Sequence, residues 1–281
     1  MFLDSLKSKI DCRAGILSYI LHNEDFFLQV HDIYQGDYSK DPDKIKYYPF
    51  HEKSGVVRSL IAYTASGHYY VKCSSNDIIQ VKKFLYQQRH SIFSVYCETE
   101  LYRFIFDDFS NQIKKTNDFY YMKLNDKDFV YKEYLYDKYS CRLCNKNDFE
   151  SLCDLQKGYH LEEVYSGDRY YPYRVEMEAF KQSLSNSINF AVFDKNLGKG
   201  VSKALVNAKS INNHQLGGIY TIPDKRNIGL GGYCLNEMLL YLLKRKPSVC
   251  LFVNIQNQPA ISLYKKLGFN NIFNLSIIYM E

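Results

Sequence analysis

Gly218-Ile219-Tyr220-Thr221-Ile222-Pro223-Asp224-Lys225-Arg226-Asn227-Ile228-Gly229-Leu230-Gly231-Gly232 is the stretch on which the reading of this chain turns. An apolar, β-branched run ends at Pro223, a polar turn follows, and glycines stand where a long apolar segment begins. Residues 216–222 are therefore expected as a strand, and residues 230–243 as a helix apolar nearly all round, hence buried. The first N–H groups of a helix lack internal partners and together carry about half a positive charge. Gly229 and Gly231 have no side chain to keep an anion off that backbone, and Arg226 adds a guanidinium with bidentate geometry. The pattern reads as a diphosphate cradle. A Walker loop does not fit, because Tyr233-Cys234 stands where Lys-Ser/Thr is needed. A dinucleotide fingerprint fails at Cys234, where it requires Gly or Ala. On this stretch alone, a ligand-free glycine turn stays open.

Working outward, residues 249–255 form a continuous apolar run suited to a central parallel strand. A short helix at 259–267 and a last strand at 275–280 follow. Upstream, residues 140–143 read as a short strand. Asn147 or Asp148 caps a helix carrying Phe149, Leu152, Leu155 and Tyr159, a spacing of three and four. A second helix is expected at 175–183, then a hairpin of strands 188–193 and 201–208 around the turn-rich 194–200. The order β-α-α-β-β-β-α-β-α-β describes a mixed α/β layer fold.

Two motifs then stand at a fixed distance: Arg226-x-x-Gly229-x-Gly231, and Asn257-x-x-Ala260-x-x-x-Tyr264-x-x-x-Gly268-Phe269. Together they resemble the GNAT superfamily of acyl-CoA-dependent N-acyltransferases, over about residues 140–281. The phrase Gly-Ile-Tyr-Thr-x-Pro-x-x-Arg is similar to a branch of predicted acetyltransferases that carry a degenerate N-terminal half. The resemblance implies an α/β (α+β) chain: a GNAT domain at 139–281 with a mixed, centrally splayed sheet, and an α+β domain at 1–138 without a phosphate loop. It implies that the pantetheine arm of acetyl-CoA lies between two diverging strands, against the backbone of Ile219, Tyr220 and Thr221. The N–H groups of Asn227, Ile228, Gly229, Leu230, Gly231 and Gly232, with Arg226, would hold the pyrophosphate. Asn257 would bind near the pantetheine or cap the helix ahead of Pro259. Tyr264 matches the tyrosine that points at the thioester sulfur; its place on the apolar stripe Ala260, Leu263, Leu267 equally suits a core residue.

The implied reaction is direct attack of a primary amine on the thioester, giving an acetyl-CoA-dependent N-acetyltransferase with no metal. The amine must first lose a proton, and Glu162 and Glu163, after the first helix of the domain, are the candidate bases, with His214 a third. Each also fits a solvated surface charge. The alternative function is a catalytically silent acyl-CoA-binding sensor or scaffold. A larger acyl or aminoacyl group is a third reading.

Composition sets the frame. The 281 residues, 46% hydrophobic and 24% charged, are globular and suggest two domains. A net charge of +5 is too small and dispersed to argue for nucleic acid. No run approaches the ~18 apolar residues of a membrane span, and the start mixes Asp4, Lys7, Lys9 and Asp11 with apolar residues, unlike a secretion signal. A cytoplasmic, soluble protein is expected. Of the eight cysteines, Cys141-x-x-Cys144 with Cys153 and His160 comes nearest to a zinc site, but the second pair is wrongly spaced, so buried thiols are expected. Strands are expected at 26–30, 56–63, 68–73 and 91–97, with a helix from Asn76 to Gln88 whose inner face holds Ile78, Ile79, Val81, Phe84 and Leu85. Residues 111–138 read as an exposed strand pair or irregular connection. The tyrosine pairs, such as Tyr120-Tyr121 and Tyr170-Tyr171, suit half-buried strands or an aromatic pocket. Three roles stay open for the N-terminal half: covering the acceptor site, an inactive repeat, or the interface of a homodimer.

Overall fold

A computed structural model of the chain describes residues 13–30, 44–165 and 172–281. Tyr170-Tyr171 and the charged start of the chain lie outside these residues. The chain forms two compact units, one built from residues 1–122, 253–257 and 271–281, the other from 123–252 and 258–270. Neither unit is continuous in sequence. The reason is strand pairing: the last strand, β11 (Asn270–Met280), runs antiparallel to β4 (Ser94–Glu98), with Leu275 opposite Glu98 and Tyr279 opposite Ser94.

In the first unit the strand order is β1-β2-β3-β4-β11-β5, with β1 at Ile45–His51, β2 at Val57–Thr64, β3 at His68–Lys72 and β5 at Ile113–Asn125. The strands β3 and β4 are parallel, so a crossover must join them, and α1 (Ile78–Gln88) supplies it. Val81, Phe84 and Leu85 are buried, but Ile79 is 79% exposed, one step off the inner stripe. Ser74 accepts from the Asn76 N–H and caps a 3-10 turn ahead of the helix, the role expected of Asn76. A further helix, α2 (Thr99–Phe106), the helix over residues 13–22, and β1 went unread in the sequence. Residues 28–30 are helical rather than a strand, and Phe27, Leu28 and Val30 are buried. A short apolar run does not distinguish these two outcomes. Residues 111–138 hold one long strand, β5, instead of a pair.

Asp77 shows how this unit is fastened. Arg58 donates to it through Nε at 2.9 Å and also through Nη2, and the Ser59 hydroxyl donates at 2.6 Å. The Arg58 guanidinium holds the Asp77 carboxyl below the usual carboxylate range. A carboxylate depressed in the folded state contributes stability above its unfolded pKa of ~3.9, and that contribution is lost as pH falls through the folded value. Asp77→Asn is thus expected to lower Tm at pH 7, with the gap to wild type narrowing as the pH falls below the unfolded value of ~3.9. Parallel Tm–pH curves would contradict this.

In the second unit the order is β10-β9-β8-β7-β6, from β6 (Tyr139–Leu143) through β7 (Asn189–Asp194), β8 (Lys199–Lys209) and β9 (Asn213–Thr221) to β10 (Ser248–Asn254). Its helices are α3 (Phe149–Tyr159), α4 (Tyr173–Asn186), α5 (Leu230–Leu242) and α6 (Gln258–Lys266). All six residues of β7 are buried because both faces are covered. Phe190 meets Tyr241 of α5, while Ala191 and Phe193 pack with Leu152 and Leu155 of α3. Asn145, rather than Asn147 or Asp148, caps the turn before α3, and the Asp148 carboxylate reaches back to the Asn145 N–H at 2.8 Å. The seven described cysteines are free, and among the described residues no group of three His, Cys, Asp or Glu could hold a metal. No described helix is long and apolar enough to cross a membrane.

Gly268, after α6, has φ +100°, and a Cβ there would stand 2.0 Å from the Asp128 carbonyl oxygen. Gly268→Ala is expected to cost about 3 kcal/mol, through strain and the displaced 126–129 segment. An unchanged Tm would contradict this close approach.

Candidate functional site

The site starts from a sheet that stops being a sheet. Strands β9 and β10 run parallel from Asn213 opposite Ser248 to Leu216 opposite Leu251, where their ladder ends. Strand β9 continues to Thr221, paired on its other side with β8. The backbone of residues 217–221 thus turns one edge away from β8 with no β10 partner. Within it the register slips: Lys203 faces Tyr220 and Leu205 faces Gly217, leaving Gly218 and Ile219 against Ala204. Gly218 has φ +53°, a conformation glycine takes without strain.

Beyond β9 the chain turns through Asn227, at φ +63°, into Gly229, the left-handed N-cap of α5 at φ +88°. Gly229 has no side chain to cap with. The first helical bond runs from the Tyr233 N–H to the Gly229 carbonyl, so those of Leu230, Gly231 and Gly232 have no partner among the described residues. A Cβ on Gly231 would sit 3.3 Å from the Thr221 Oγ1, so the helix start closes on the end of β9. Tyr136 donates to the Ile228 carbonyl at 2.6 Å, and Tyr134 packs where a Gly232 Cβ would stand 2.5 Å from its hydroxyl. The two rings stack at 6.0 Å and also meet Tyr233. Their i, i+2 spacing ahead of β6 was the only signal for them.

Side chains converge from a π turn, His160–Val164, that prolongs α3. The turn lets consecutive glutamates face different partners. Glu162 accepts from the Tyr220 hydroxyl at 2.7 Å and from Arg226 Nη2 at 2.5 Å, while Arg226 Nε donates to the Thr221 carbonyl at 2.9 Å. Arg226 holds the Glu162 carboxyl below its usual range, and burial with the Glu162 charge pushes Tyr220 up to about 12. The residues expected to serve as anion clamp and as base are therefore each other's partners. The Glu163 charge instead reaches Tyr159 and Tyr264, raising both phenols after burial, the larger cause for each. Tyr264, on α6, is buried at 6% exposure, and its hydroxyl has no hydrogen-bond partner among the described residues.

Two expected residues stand apart. His214 lies at the start of β9, opposite Val249, and burial first, then Lys246 and Lys209, drive its imidazole down to about 4. Asn257 sits in a turn, its N–H bonded to the Asn254 carbonyl at 2.9 Å. One residue was missed: Lys203, 3% exposed, whose Nζ donates to the Gly218 carbonyl at 2.8 Å. In the sequence it is one of 36 cations, and only the register of β8 against the bulge marks it.

Residues 197–277, which hold β8, β9, the glycine turn and α6, match the family model described as FR47-like protein. Solved structures share the architecture over most of the chain. A GNAT-family acetyltransferase from Colwellia psychrerythraea superposes with a TM-score of 0.57 at 10% identity, covering 94% of this chain and 97% of that one. The chain has the GNAT fold. A GCN5-related N-acetyltransferase from Sphaerobacter thermophilus gives a TM-score of 0.56 at 12% identity, with 83% and 79% covered. A tandem GNAT protein of the clavulanic acid biosynthesis pathway gives 0.54 at 9% identity, with 85% and 83% covered. The likeness to that tandem protein covers 85% of this chain and agrees with two units in one chain. No curated protein matches the sequence.

Proposed function

We propose that this chain transfers an acetyl group from acetyl-CoA to a primary amine by direct attack. The observation that carries the reading is the end of the β9–β10 ladder at Leu216 and Leu251, beside a helix start whose first three N–H groups have no described protein partner. Those groups suit a diphosphate, and the open edge at Ile219, Tyr220 and Thr221 suits the amides of a pantetheine arm. When bound, acetyl-CoA supplies an activated acyl carbonyl.

The chain's own residues do the rest. Backbone N–H groups from Asn227 to Gly232 hold the diphosphate, and Arg226 adds its charge from its place on Glu162. Tyr264 donates a hydrogen bond to the departing sulfur. A phenol near ~10 is already about 2 kcal/mol too weak an acid to hand its proton to a thiolate near ~8.5, and burial raises Tyr264 further. An alkylammonium near ~10.4 must lose its proton before attack. Glu163 serves as the base in this reading, since Arg226 and Tyr220 occupy both oxygens of Glu162. Glu163→Gln is expected to lower kcat/KM at least tenfold, ~1.4 kcal/mol, most strongly at acidic pH. Equal losses for Glu162→Gln and Glu163→Gln would contradict this division.

The engagement of Glu162 by Arg226 also favours the second reading, a silent acyl-CoA-binding module. Thermal shift with acetyl-CoA, followed by thiol release with spermidine, tyramine, a hexosamine and a peptide α-amine, separates the two. Amine-dependent release supports the transferase. A Tm rise without release supports the silent module, and no Tm rise refutes both. Acetyl-CoA and an amine are the partners this reading needs. Nucleic acid, membrane and metal have no part in it, a cytoplasmic setting suits it, and a homodimer through the N-terminal half remains a proposal.

A further inference from the structure

Neither reading uses the buried amine of Lys203. Its Nζ donates to the Gly218 carbonyl at the bulge, lies 4.2 Å from the centroid of the Tyr159 ring, and forms no ion pair among the described residues. One donor is engaged. Around it stand Tyr159 and His160 from α3 and its π turn, Cys144 after β6, Cys234 from α5, and Tyr220 opposite on β9. None of these is a carboxylate.

We propose that Lys203 is itself an acyl acceptor, a modification site at which this buried amine takes the acyl group of a bound acyl-CoA thioester. The inference rests on the acyl-CoA reading of the site given above. Its geometric basis is the bulge: Lys203 is bound to Gly218, which neighbours Ile219 on the strand edge where the thioester would lie. The step balances without a further reagent. The Nζ lone pair attacks the thioester carbonyl carbon, a C–N bond forms and the C–S bond breaks. The sulfur leaves as thiolate and takes the proton released from nitrogen. The product amide is stable, so the event happens once per chain and records exposure to acyl-CoA rather than sustaining turnover.

Charge supports the chemistry. Burial lowers the Lys203 amine from 10.5 to about 7, and a desolvated, neutral lysine is an activated nucleophile. At pH 8 it holds roughly two-hundredfold more neutral amine than an exposed lysine near ~10.4. Lys199, on the same strand and paired with Asp154 at the surface, serves as the internal comparison.

The test is incubation of the full chain with acetyl-CoA at pH 8, then peptide mass spectrometry over time. Lys203 is expected to be acetylated at least tenfold faster than Lys199, with its rate half-maximal near pH 7, and excess free CoA suppresses Lys203 alone. Lys203→Met still gains Tm with acetyl-CoA but carries no acetyl group at that position. If acetyl-CoA raises Tm while Lys203 stays unmodified or labels no faster than Lys199, the inference is overturned and the acyl-CoA reading stands. If neither a Tm rise nor label appears, the parent reading has failed with it. The CoA-competition arm uses wild-type protein and decides the matter even where the variant folds poorly.

Discussion

Gly231→Asp is expected to weaken acetyl-CoA binding at least a hundredfold, while the ligand-free protein keeps or gains Tm. The two effects have opposite signs for one reason. An acidic side chain in the first turn of a helix complements the macrodipole and stabilises the fold by about 0.3–1 kcal/mol. The same carboxylate competes with any anion for the N–H groups of Leu230, Gly231 and Gly232, which no described protein atom satisfies. A Cβ there stands 3.3 Å from the Thr221 Oγ1, close enough to require a small shift but no rebuilding. A hundredfold is ~2.7 kcal/mol, in the range of losing a charge-assisted hydrogen bond and adding repulsion. Titration calorimetry reads the affinity and thermal denaturation reads the fold. Undiminished affinity would remove the diphosphate from the start of α5.

Tyr264→Phe is expected to lower kcat at least tenfold and to leave the acetyl-CoA Kd within about twofold. The substitution keeps the ring that packs against Phe269 at 5.9 Å and removes only the hydroxyl. Because that hydroxyl has no described partner, its loss strands no buried group and leaves the fold alone. A donor that acts only on charge developing at sulfur lowers kcat and kcat/KM together. An equal change in Kd, or no change in kcat, would assign Tyr264 to the core.

The parts of this molecule that were legible in the sequence are the local ones. The glycine turn, the apolar α5 and the alternation from β6 to β10 each lie within a few residues of the signal that gives them away. Strand β11 joins β4, nearly two hundred residues earlier in the chain, and no local pattern carries such pairing. The Arg226–Glu162 contact spans 64 positions, so each residue read alone took the role its own motif suggested. Lys203 was hidden for another reason. A lysine in a strand reads as surface, and it is the opposing register and the Tyr159 ring of α3 that cover the amine.

The measurement that bears most directly on the site is a titration followed through backbone amide resonances. Uniformly 15N-labelled protein would be titrated with CoA and, separately, with pantetheine, which lacks the diphosphate. CoA is predicted to shift the amides of Leu230, Gly231 and Gly232 downfield, and pantetheine to move residues 217–221 while leaving those three in place. Saturable CoA binding that leaves the three amides unmoved would contradict the account.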